Sequence, residues 1–153
     1  MADATTIKKA TGSGTVAKIS KDGSTYNVLA SVTKLSPPNM TRGTVDVTDL
    51  NSYADNDQMK EYLTDFIEAE DMTIEGFVKA DDEGLPVAEE LFYSGDLAYI
   101  DIVLPDAIGK TMKVTGLLTG YKPIGDISSD AGIAYSFTLK PNKKPTLTTT
   151  PST

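Results

Sequence analysis

The stretch from Met72 to Leu104 changes its apolar period twice, and that limits the class of fold more than any other feature of the chain. Met72, Ile74 and Val78 alternate with Thr73, Glu75 and Lys79, the period-2 pattern of a strand with one buried face. Pro86 then stands where a first helical turn tolerates a missing N–H, and Gly95 where a helix ends. Between them Val87, Ala88, Leu91 and Phe92 fall on one helical face and Glu89, Glu90 and Tyr93 on the other. Alternation resumes with Ala98, Ile100, Ile102 and Leu104 on one side and Tyr99 and Asp101 on the other. One short helix is therefore expected to dock on, or plug, a mostly antiparallel sheet.

The flanks supply more strands. Thr15–Ile19 and Tyr26–Val32 are joined by Lys21-Asp22-Gly23-Ser24, and Asp-Gly between alternating runs is a hairpin signal. Tyr26, Val28, Ala30 and Val32 are expected to face inward. Leu35–Arg42 breaks the pattern with two adjacent prolines, and Thr44–Val47 reads as a short strand after it. Met112, Val114, Gly116 and Leu118 alternate with Thr111, Lys113 and Thr115, and Ile133, Tyr135, Phe137 and Leu139 form a last alternating run. Seven strands and one firm helix predict a mainly β fold, a β-sandwich or partly closed barrel with a flanking α-helix. The ordered core spans about 14–140 of a single domain. Residues 1–13 read as an N-terminal arm, and 141–153 as a Pro/Thr tail without core-forming side chains.

Residues 48–70 are the exception. After a polar loop, Met59, Tyr62, Leu63, Phe66 and Ile67 fall at i, i+3, i+4, i+7 and i+8, which predicts a short amphipathic helix capped by Asp55 or Asp57. A segment this long without strand character is unusual within a compact domain. Two readings stand side by side: a contact arm that orders against a neighbour, or a lid over the domain's own core.

Composition narrows the chemistry. The chain has no cysteine and no histidine, so disulfides, thiol nucleophiles, Ser-His-Asp triads and nearly all zinc chemistry are out of reach. The N-terminal residues carry no apolar run, so neither a signal peptide nor a membrane anchor is expected. Asp46 with Asp49, and Asp81 with Asp82 and Glu83, could be read as a glycosidase pair or a calcium site, but neither has calcium-loop spacing. No cofactor or metal is expected. Of the 22 acids, all but Asp3, Asp22, Asp126 and Asp130 lie between Thr44 and Asp106, where Lys60 and Lys79 are the only bases. An acidic middle between basic ends suits a solvated acidic surface, or a protein that meets copies of itself head to tail.

The order of weaker features carries a resemblance. Val45-Asp46-Val47-Thr48-Asp49-Leu50-Asn51-Ser52 follows a strand, and a long loop then holds Lys60-Glu61-Tyr62. Glu70-Asp71-Met72-Thr73-Ile74-Glu75-Gly76 leads into the helix Val87–Ser94. Tyr99-Ile100-Asp101-Ile102-Val103-Leu104-Pro105, a strand with a central Gly116, and a last strand before a Thr/Pro tail complete it. Over about residues 14–147 this order resembles the major tail tube proteins of long, non-contractile-tailed bacteriophages. It departs at Leu63-Thr64-Asp65-Phe66, where many relatives carry a Gly-Leu pair.

The resemblance implies a non-enzymatic virion protein of the tail, assembled in the host bacterial cytoplasm as stacked hexameric rings. Viral DNA would pass through the lumen without specific binding, and the partners would be tape-measure, tail-tip and terminator proteins, with no membrane. Acids facing the bore would repel phosphate; the candidates are Asp46, Glu75 and Asp101. The contacts between copies would come from Asp49, Tyr53, Met59, Tyr62, Leu63 and Phe66 of the long loop, with Lys8, Lys9, Lys143 and Lys144 of the arms. The alternatives are a ring-forming tail accessory or terminator, another soluble β-sandwich binding module, or a carboxylate-based carbohydrate-active enzyme.

Overall fold

A computed structural model describes residues 11–150, which divide into two compact units, one of Pro38–Glu70 and one of the segments on either side of it. The larger unit holds β1 (Val16–Ser20), β2 (Asn27–Val28), β3 (Val32–Ser36), β6 (Met72–Phe77), α2 (Gly84–Ser94), β7 (Ala98–Val103), β8 (Lys110–Lys122), β9 (Ala134–Pro141) and β10 (Thr146–Thr149). The smaller holds β4 (Met40–Asp46), a single helical turn α1 (Ser52–Asp55) and β5 (Tyr62–Ala69).

In the larger unit the strands form one antiparallel sheet in the order β2-β1-β7-β8-β9-β6-β3, with β10 beside β8. The sheet is not closed into a barrel: its end strands β2 and β3 are not paired with each other. Alternation along β7 puts Ala98, Ile100 and Ile102 into the core. The same period delivers Met72 and Ile74 from β6, Val114 and Leu118 from β8, and Tyr135, Phe137 and Leu139 from β9. Helix α2 covers this apolar face with Ala88 and Leu91 buried and Leu85, Val87 and Phe92 partly so. The helix begins at Gly84, so Pro86 lies within its first turn, where a missing N–H costs nothing. It stops at Gly95, whose φ of 77° is left-handed and whose N–H donates to the Leu91 carbonyl.

The start of α2 depends on Asp82. Its buried Oδ1 accepts from the backbone N–H of Gly84 at 3.0 Å and of Leu85 at 3.2 Å, satisfying two donors that have no partner within the helix. Asp82→Ala is expected to lower stability by about 1 kcal/mol, and Asp82→Asn, which keeps an acceptor oxygen, by less. Thermal melting followed by circular dichroism checks both; equal melting points for wild type and Asp82→Ala would refute the cap.

Four expectations need correction. Met59–Ile67 is not a helix. Tyr62–Ala69 is strand β5, paired antiparallel with β4 from Met40↔Ala69 to Asp46↔Tyr62, with a bulge between Arg42 and Thr44. The i, i+3, i+4 spacing arises because apolar side chains occupy both faces of this ribbon, Ile67 and Tyr62 on one and Leu63 on the other, which masks the period of 2. The strand β4 begins at Met40, inside the Leu35–Arg42 stretch that carries the two prolines. Second, Tyr26–Val32 is not one inward-facing strand. It is cut at Ser31, held at a φ of 51°, so Leu29 is buried while Val28 is exposed. Third, the Pro/Thr tail is not free of order: Thr146–Thr149 pairs with Lys110–Lys113, and the Thr111 and Thr150 hydroxyls lie 2.8 Å apart. Fourth, the seven expected strands are ten among the described residues, two of them the long ribbon and one the C-terminal segment.

The hairpin signal at Asp22 holds. The Asp22 carboxylate accepts from the N–H groups of Thr25 and Ser24 and from the Ser20 hydroxyl, each at 2.9 Å, and these bonds hold it well below the usual carboxylate range. Burial, and then the Asp82 carboxylate, push the Tyr135 phenol up to about 12, so it stays a neutral donor to the Ala30 carbonyl.

Candidate assembly surfaces

The smaller unit has almost no interior. Every residue of β4 is exposed, as is every residue of β5 except Ala69. Met40, Val45, Tyr62, Leu63, Phe66 and Ile67 all show about half or more of their surface, Phe66 reaching 84%. A two-stranded hairpin is marginal alone in water. One carrying this much apolar surface on both faces is built to be covered. It carries eight acids against Arg42 and Lys60.

Its far end is nonetheless rigid. Asp49 Oδ1 accepts from Asn51 N and Ser52 N at 2.9 and 3.0 Å and from the Ser52 hydroxyl at 3.2 Å, and Ser52 Oγ accepts in turn from Asp49 N. Thr48 Oγ1 accepts from Glu61 N at 2.9 Å, tying the two strands above α1. Asp46 Oδ1 takes the Thr48 N–H at 2.9 Å, and hydrogen bonding from Thr48, side chain first and then backbone, holds its carboxyl below the usual range. The acids once open to a catalytic reading, Asp46, Asp49 and Asp82, are thus acceptors that shape turns and a helix start. Out of this frame Leu50 projects with 99% of its surface exposed, beside Tyr53 and Met59 at 68% and 67%. The sequence did not single out Leu50, because exposure of one Leu cannot be read without the turn that holds it.

The structure brings Glu75 and Asp101 onto one surface and leaves Asp46 in the other unit. Both face away from the core on the open side of the sheet. The register puts a lysine beside each of them. Asp101 lies between Lys18 on β1 and Lys113 on β8. Glu75 lies opposite Lys34 on β3, and on its other side Ser136 leads to Lys122. Lys140, opposite Leu117, shares this face. Five lysines therefore surround two carboxylates. Asp101 is the more enclosed, its side chain 14% exposed, with Lys113 Nζ 4.0 Å from Oδ2 and its buried Oδ1 without a protein hydrogen-bond partner. Burial, and then the neighbouring Asp101 charge, raise the pKa of the Tyr26 phenol.

Of the terminal lysines, Lys143 and Lys144 are exposed in the link from β9 to β10, and Lys8 and Lys9 lie outside the described residues. A cavity of about 460 Å³ opens between the start of β1 and the unpaired flank of β3, with Ala17, Val32, Leu35, Ile102 and Leu104 among its walls. Among the described residues no group of three Asp or Glu side chains is placed to hold a metal ion, and no helix is long and apolar enough to cross a membrane.

No protein-family model matches the sequence, and no curated protein does. Solved structures do resemble the fold. A chain in the tail of an empty gene transfer agent particle, refined helically with C6 symmetry, superposes with a TM-score of 0.70 at 19% identity, over 92% of this chain and 99% of that one. A chain of the six-fold symmetrised anti-feeding prophage baseplate gives 0.69 at 10% identity, over 93% and 97%. One from an extracellular contractile injection system, the PVC sheath/tube terminator in its extended state, gives 0.63 at 12%, over 91% and 96%. The chain shares the fold of components of phage-like tail particles.

Proposed function

We propose that this protein is a structural subunit of a phage-type tail that joins copies of itself into hexameric rings, and that the rings stack into a tube conducting DNA. The observation that carries this reading is the β4–β5 hairpin, a compact unit with apolar side chains exposed on both faces. Only further protein surface can cover it. The whole-length likeness to a chain of a C6-symmetric tail supports six-fold packing. In this reading the two units work as one tube domain. Asp49, Tyr53, Met59, Tyr62, Leu63 and Phe66 engage neighbouring copies, and the acidic hairpin meets basic surface, including Lys143 and Lys144.

Carboxylates facing the bore would keep phosphate from adhering. Asp46 presents its charge with Lys60 as the nearby cation, whereas Glu75 and Asp101 are offset by their cross-strand lysines. The partners of the assembled tail would be tape-measure, tail-tip and terminator proteins, and the site of action the virion. Nothing in this reading requires catalysis. A terminator-like ring is the second reading, favoured by the likeness to the sheath/tube terminator of the contractile system.

Negative-stain microscopy of concentrated protein separates these. Tubes of indefinite length built from six-subunit rings are expected for the first reading and discrete rings for the second. A monomer that persists at high concentration, with a tail-tip seed present, would overturn both.

A further inference from the structure

We propose that Leu50 of one copy inserts into the cavity between β1 and β3 of another, a knob-in-hole contact that sets how the hairpin of one subunit grips the next. The inference rests on the self-assembly reading above and adds to it a specific pair of surfaces.

The knob is preformed. A single exposed leucine is ordinary on a protein surface, but Leu50 sits within a closed set of hydrogen bonds from Asp49, Ser52 and Thr48. Little conformational entropy remains to be lost when such a turn docks. Its neighbours Val47, Tyr53 and Met59 are exposed too, so the tip presents a small apolar cluster rather than one side chain.

The hole follows from the way the sheet fails to close. β2 pairs with β1 at Lys18 and Ile19, Leu29 N adds one more bond to the Ala17 carbonyl, and the chain then swings out at Ser31 into β3, whose outer edge has no partner strand. Between β3 and the start of β1 a wedge remains, floored by Ala17, Ile102 and Leu35. At about 460 Å³ it is roughly three times the ~150 Å³ cavity that admits a benzene ring. It takes a leucine together with part of its turn. The free outer edge of β3 can bond the turn's own N–H and C=O groups, whereas on the β1 side the Ala17 carbonyl already accepts from Leu29 N and Thr15 N donates to the Gly12 carbonyl.

Charge points to a second copy as the occupant. Asp46, Asp49, Asp55, Asp57 and Glu61 surround the tip against Lys60 alone, while the one charged residue among the described walls of the cavity is Lys34. An acidic apolar tip and a cation-rimmed apolar slot on different parts of one chain make a heterologous contact, the kind that propagates into rings or filaments.

The absence of cysteine from the chain gives a clean background for disulfide trapping. Leu50→Cys combined with Thr33→Cys, or with Thr15→Cys, is oxidised under assembly conditions and resolved by non-reducing electrophoresis. A ladder of covalent oligomers is expected from either pair and not from the single variants or from Leu50→Cys with Ser128→Cys in the β8–β9 loop. Leu50→Asp, at a fully exposed position, is expected to keep the monomer's circular dichroism and melting point. It should raise the concentration needed for assembly at least about tenfold. Assembly that proceeds normally with no ladder from either pair would overturn the contact. So would a Leu50→Asp protein that assembles as the wild type does, or one that fails to assemble while neither pair cross-links. If wild-type protein itself forms no oligomer by microscopy, the self-assembly reading falls first, and that result is distinguishable from the others.

Discussion

Replacing Pro38–Glu70 with a two-residue Asn-Gly turn is expected to yield a protein that folds, remains monomeric and lacks the assembly proposed above. Folding survives because no member of the buried core comes from this segment; every one lies in Ala17–Leu29 or Met72–Leu139. The join is sterically simple. Ser36 on β3 and Thr73 on β6 are direct cross-strand partners about one strand spacing apart, and the chain ends left by the deletion, Pro37 and Asp71, lie one and two residues beyond that pair. A short turn converts β3 and β6 into an ordinary hairpin. Shortening the loop also reduces the entropy lost on closing it, so the melting temperature is expected to stay level or rise. Assembly is lost because the deletion removes Tyr62, Leu63, Phe66, Ile67 and Leu50 together, the largest set of exposed apolar side chains. Analytical ultracentrifugation and microscopy read the result. A deleted protein that still builds tubes would show that the hairpin does not hold subunits together, and one that fails to fold would show that it is part of the core.

How much of this was legible beforehand depends on the element. In α2 and β7 local pattern and tertiary role coincide: Ala88, Leu91, Ile100 and Ile102 are where their periods put them, because each element buries a single face. The β4–β5 ribbon buries neither, so no period separates its two faces and a helical spacing arises by accident of composition. β10 was hidden for the opposite reason. Thr146–Thr149 has little apolar content and is held by backbone pairing and threonine hydroxyls against β8, a partner distant in sequence. The lumen candidates show a third limit. Alternation alone puts Asp101 and Glu75 on the face away from the core, but the lysines that offset them come from β1, β8 and β3, and only strand register reveals that they are neighbours. Leu50 had no signal at all, since its full exposure follows from the hydrogen-bonded turn around it.

Gly116→Ala is expected to destabilise the larger unit by about 3 kcal/mol, while Gly120→Ala four residues along the same strand is nearly neutral. Gly116 sits mid-sheet on β8, opposite Ala98 of β7 and Pro141 of β9. A Cβ built there would lie 2.8 Å from the Lys140 carbonyl carbon and 2.9 Å from Pro141 Cα, closer than real Cβ atoms come to such neighbours. Both neighbours are backbone, so no rotamer change can relieve the contact; β9 must move away from β8. That pairing holds Tyr135, Phe137 and Leu139 in the core, which is why one methyl group at this place acts like overpacking of the core rather than a surface change. At Gly120 the nearest atoms to a new Cβ are the Thr138 side chain at 3.5 Å, an ordinary van der Waals distance, and the β-bulge there leaves room to adjust. For a chain of this length 3 kcal/mol corresponds to a fall of roughly 6–12 °C in Tm. The comparison belongs in the hairpin-deleted background, where assembly does not add to apparent stability. Equal melting of the two alanine variants would mean that the close approach of β9 to β8 is not what Gly116 serves, and that the glycine in this strand has some other role in the tail-tube fold.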